Sequence, residues 1–120
     1  MDIKNHLDSF IDSFVEKDRR DRWHFLFQKN DEKTKHNSYK LLNDLDRRFC
    51  KRNDDLESLN TLTVEGVFYD IGSDDPTVSV LSEILKEQNY FDAVFSINAG
   101  KLAVFLFHEG HKYVLKKSNH

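Results

Sequence analysis

The sequence predicts an α+β fold, with three N-terminal helices followed by a β-α-β-β-β run that closes a mostly antiparallel sheet. Three observations carry this. Apolar residues recur at helical spacing over the first half of the chain. The period then changes to β-branched and aromatic runs between residues 61 and 71. Finally, three short apolar runs near the C-terminus are separated by glycine-containing turns, and such close spacing implies an antiparallel meander.

The first helix is expected over residues 3–17. Ile3, Leu7, Phe10, Ile11, Phe14 and Val15 form one apolar stripe, and Asp2 can cap its N-terminus. A second helix is expected over 19–29, with Trp23, Leu26 and Phe27 on one face and Phe25 to the side. Residues 30–36 contain no apolar side chain and read as a loop. Asn37 or Ser38 can cap a third helix running to Cys50, with Leu42, Leu45 and Phe49 facing inward. Residues 53–60 are polar with two leucines and read as a turn of helix or a loop.

Residues 61–71 read as a strand in which Gly66 marks a bulge, ended by Gly72-Ser73-Asp74. Asp75-Pro76 reads as a helix start, with Val78, Leu81, Ile84 and Leu85 directed inward and an end near Gln88. The last strands are expected at 93–97, 102–108 and 113–116, with Gly100 able to take positive φ between the first two.

At 120 residues the chain has the length of one domain, and it can bury a sizeable core without disulfide or metal. Its single cysteine excludes an internal disulfide. With no apolar leader-like segment at the N-terminus and no apolar run of membrane-spanning length, the expected location is the cytoplasm. The formal charge is -3, and the deficit lies in residues 61–120. A nucleic-acid binder usually carries a net basic footprint, so the balance argues against that class. The alternative survives only through two basic clusters, 17–22 and 47–52, the first followed by Trp23 and Phe25. Aspartates interleave the first cluster and precede the second, the ordinary pattern of a solvated helix face.

Reactive constellations are sparse. His108-Glu109-Gly110-His111 places two imidazoles across an expected hairpin tip, without the spacing of the helical HExxH zinc motif. Cys50 sits among Arg47, Arg48, Lys51 and Arg52, which would favour a thiolate, but it also lies on the flank of the apolar stripe, where a half-buried structural role is expected. The glycines never cluster into a phosphate loop, and no GxSxG or CxxC occurs. The sequence therefore implies no catalytic residue, no metal site and no cofactor.

What remains is recognition. Asp8, Asp12 and Glu16 recur every four residues as an acidic ridge beside the first helix's apolar stripe, and Asp74 and Asp75 add charge before Pro76. Such an edge speeds encounter with a basic partner and fixes its register. Tyr69 and Tyr90 are the expected aromatic contacts, since hot spots favour such side chains. Small acidic proteins without catalytic signatures are often immunity or antitoxin-like inhibitors. The expectation is accordingly a non-enzymatic inhibitor that blocks the surface of a basic toxin or nuclease. Oligomeric state and strand order are not set by the sequence.

Overall fold

The computed structural model describes residues 2–28, 42–53, 63–71, 75–87, 92–107 and 110–117. The expected loop at 30–36, residues 54–60, Asp74, Tyr90, His108, Glu109 and His120 lie outside them.

The chain opens with helix α1, Ile3–Phe14. Asp2 caps it as expected, its carboxylate accepting the Asn5 N–H at 3.0 Å. His6, Leu7, Phe10, Ile11 and Phe14 make the buried stripe. The helix stops three residues earlier than the apolar pattern suggests, and the cause is tertiary. Val15 turns extended and bridges Leu45, Glu16 N–H reaches the Asp44 carbonyl at 2.8 Å, and Asp46 N–H reaches Phe14 at 2.7 Å. A 3-10 turn, Lys17–Arg19, leads into α2, Arg20–Gln28.

The third N-terminal helix is not formed where the structure describes it. Residues 42–44 make a 3-10 turn, 47–49 another turn, and strand β1, Cys50–Arg52, follows. The Asp46 carboxylate accepts the Arg48 backbone N–H at 3.1 Å, so this side chain offers the backbone a local partner that competes with a helix. Leu45 is buried and Leu42 and Phe49 pack against the core, so the inward side chains are those expected although the backbone is not.

Strand β2, Glu65–Asp70, pairs on one side with β3, Thr77–Val80, and on the other with β4, Ala93–Asn98. Here the second correction falls. The residues after Pro76 form an edge strand, and helix α3 begins only at Leu81 and ends at Glu87. Thr77, Val78 and Val80 are β-branched and favour the pleated sheet, and Pro76 is tolerated just outside an edge strand because no ladder bond needs its missing N–H. Val78 is consequently exposed, while Leu81 and Ile84 are buried as expected.

β5, Leu102–Leu106, and β6, Lys112–Lys116, complete a six-stranded sheet in the order β1-β6-β5-β4-β2-β3, every neighbour antiparallel. Alternation along the strands separates two cores. One face puts Val67, Tyr69, Val94, Ala103, Phe105 and Leu115 under α1 and Trp23. The other puts Ala93, Phe95, Ile97, Val104 and Leu106 under Leu81 and Ile84 of α3. β4, covered on both sides, is apolar almost throughout.

Gly66 is not a bulge, since its pairing to Ser79 is regular. A Cβ there would lie 2.5 Å from the Ser96 carbonyl and 2.6 Å from the Phe95 ring, so glycine is required by close approach across the sheet. The irregularity sits instead between Ser96 and Asn98 of β4. Gly100 takes the expected left-handed conformation, φ 72°.

Candidate protein-binding site

α1 presents its acidic side chains away from the sheet. Asp8 and Asp12 are 47% and 63% exposed, and His24 of α2 stands between them. Its Nδ1 is 3.5 Å from Asp8 and its Nε2 is 3.1 Å from Asp12. The Asp12 carboxylate can only accept, so Nε2 carries the proton in that bond. The bond fixes the two helices' relative orientation at the surface, while Phe10 and Trp23, ring centroids 5.9 Å apart, fix it in the core.

Next to Asp8 opens a groove of about 340 Å³, lined by Ile3, Lys4, Leu7, Asp8, His24, Phe27 and Pro76. The topology makes it. Phe27 is held from beneath by Tyr69, edge to face at 5.0 Å, and Pro76 arrives from the start of the edge strand β3. Asp75, exposed, precedes Pro76 directly. Of the residues expected from the sequence, Asp8 lines this groove, Asp75 adjoins it through Pro76, and Asp12 follows Asp8 by one turn of α1. Glu16 is exposed but lies beyond the helix end, in the extended link to the 3-10 turn, and does not continue the ridge. Tyr69 is 3% exposed and belongs to the core, so it leaves the contact set. Its parity on β2 points it under α2. Asp74 and Tyr90 lie outside the described residues.

Sequence reasoning missed His24, the apolar walls and Phe25. Phe25 is 55% exposed on α2, the type of side chain that anchors an interface. Its offset from the Trp23/Phe27 stripe was the available signal; the approach of Pro76 had none.

The Val15–Leu45 bridge joins the segments that carry the two basic clusters. Buried Asp44 receives Arg19 and Arg22, each at 3.8 Å, and accepts the Trp23 indole N–H at 3.0 Å. Arg20 donates to the Val15 carbonyl at 3.0 Å. Buried Asp46 holds Arg48 at 2.7 Å, and this hydrogen-bonded cation keeps the carboxyl below the ordinary carboxylate range. Much of this charge therefore holds the loop before β1 in place.

Cys50 is half-buried, and burial pushes its thiol pKa up, outweighing the opposite pull of Arg47. That setting disfavours the thiolate. His108 lies outside the described residues, and among the described residues no three metal-ligating side chains converge. His6, unremarked in the sequence, is buried under α1 with its Nδ1 2.8 Å from Ser96 Oγ, tying the helix to β4. Desolvation lowers its pKa. No helix among the described residues is long and apolar enough to cross a membrane.

No known family, curated protein or solved structure matches the chain.

Proposed function

We propose that this chain works by binding a basic protein and blocking its surface, in the manner of an immunity-type inhibitor, and that the α1–α2 groove is the contact. The supporting observation is the pairing of an apolar cleft with a carboxylate edge. Ile3, Leu7, Phe27 and Pro76 offer a site for one or two apolar side chains, and Asp8 at its wall, with Asp12 one turn along α1 and Asp75 next to Pro76 in the chain, offers carboxylates to lysine or arginine. Exposed Phe25 extends the surface along α2. Desolvated aromatic and apolar contacts supply affinity, and rim charge supplies encounter rate and register.

The test is capture from the native host at low salt, comparing the unaltered chain with a variant carrying Asp8→Lys and Asp12→Lys. The expected result is a basic protein retained by the first and lost by the second, whose own activity falls when the purified chain is added. Identical captures by both proteins, or a captured protein whose activity the chain leaves unchanged, would reject the proposal.

A further inference from the structure

The opposite edge of the sheet carries the opposite charge. β1 is the outermost strand there among the described residues, and β6 runs beside it. Arg47, Arg48, Lys51 and Arg52 thus meet Lys116 and Lys117, which the sequence alone places far away. In a chain of net charge -3, this is a concentrated basic edge.

Two grooves flank β1. One, of about 400 Å³, has Phe49 and Val114 as its apolar part and Arg48, Lys51, Arg52 and Lys116 as its charges. The other, of about 450 Å³, sets Leu42, Leu45 and Tyr113 beside Arg47 and Arg52. Cys50 borders both. The ladder bonds Lys116 N–H to Phe49 at 3.0 Å and Asn53 N–H to Lys112 at 2.8 Å show that alternate residues of β1 face β6. The amide and carbonyl of Cys50 therefore point away from β6.

We infer that this edge is a second binding site, for an acidic, extended peptide segment of another protein lying along β1, its alternate side chains falling into the two grooves. The cations repel basic strands, as edge lysines commonly do, discourage uncharged ones because pairing would desolvate the charges, and favour carboxylates. A nucleic acid fits less well. Successive bases would need several open aromatic faces, but of the two rings lining the grooves, Phe49 is already covered by Arg48 and by Lys117, each 5.1 Å from its centroid, which leaves Tyr113 alone. The apolar parts of both grooves suit peptide side chains instead. Arg48 is posted in place by its bidentate contact with Asp46, Nε to Oδ1 at 3.1 Å and Nη2 to Oδ2 at 2.7 Å.

The full chain is titrated by fluorescence anisotropy with a labelled short peptide of alternating Val and Glu. Parallel arms use the Val-Lys counterpart and a single-stranded oligothymidylate. Saturable binding of the acidic peptide is expected, weakened about tenfold by Lys51→Glu combined with Lys116→Glu. Asp8→Lys, at the other groove, is expected to leave it unchanged, so failure here is separable from failure of the inhibitor reading. If the double variant does not fold, amide shift changes on peptide addition to the unaltered chain decide the matter: they are expected at Arg48, Cys50, Lys51 and Val114. No saturable binding, equal binding of the Val-Lys peptide, tighter binding of the oligonucleotide, indifference to the charge reversal, or shifts confined to other strands would overturn the inference.

Discussion

Replacing Asp44 by alanine should weaken the fold far more than removal of an ordinary surface carboxylate. The Asp44 side chain is nearly buried and accepts the indole N–H of Trp23, a fully buried residue, at 3.0 Å. A hydrogen bond to a charged acceptor contributes about 1.5–3 kcal/mol, and in the alanine variant the indole N–H is left buried without its partner, a penalty of the same order. Arg19 and Arg22 add little, because each lies 3.8 Å away and is partly exposed, the setting in which an ion pair contributes a few tenths of a kcal/mol. The backbone bond from Glu16 to the Asp44 carbonyl survives the substitution. The lost bond and the orphaned donor describe one interaction and count once; with the weak ion pairs the loss is about 2–4 kcal/mol. With a urea slope of about 2 kcal/mol per molar, the unfolding midpoint should fall by roughly 1–2 M. Trp23→Phe in the Asp44→Ala background removes the orphaned donor, so the double variant should be less destabilised than the single effects add up to, by about 1.5 kcal/mol or more. A cost for Asp44→Ala below about 0.5 kcal/mol, or strict additivity of the pair, would refute this account of the loop before β1.

Three further outcomes are expected. Gly66→Ala should destabilise the protein by about 1–3 kcal/mol in thermal or denaturant melts, because its methyl group would collide with the Ser96 carbonyl and the Phe95 ring; an unchanged melt would refute the close-approach reading. Cys50 should react with a disulfide reagent at neutral pH more slowly in the native protein than in urea, since burial raises its pKa and shields its sulfur; equal rates would remove that explanation. His6 has a folded pKa below its ordinary 6.5, so between the two values the unfolded chain binds more protons than the folded one. Its contribution should be complete above pH 6.5 and be lost as pH falls through that window, and His6→Gln should flatten this part of the stability profile measured by urea titration.

Wherever local periodicity and local chemistry agree, the sequence by itself determined the outcome. The Phe10, Ile11 and Phe14 stripe, the Asp2 cap, the left-handed Gly100 turn and the three closing strands each depend on residues within a few positions of one another. Asp8 and Asp12 were legible for the same reason: a four-residue spacing on a helix already fixes a shared face. Tertiary structure decided the rest. Leu42, Leu45 and Phe49 keep helical spacing, yet a buried Asp46 with a nearby N–H to accept, together with the Val15 bridge, holds that backbone in turns. Asp75-Pro76 carries a helix-start signal, but the open edge of β2 captures Thr77–Val80 first. The groove beside Asp8 and the basic edge along β1 were invisible in one dimension, because Pro76 and Lys116 reach them only through strand pairings distant in sequence. Long-range backbone pairing outweighs a weak local preference whenever it satisfies more hydrogen bonds and buries more apolar surface, and no short window of residues contains that comparison.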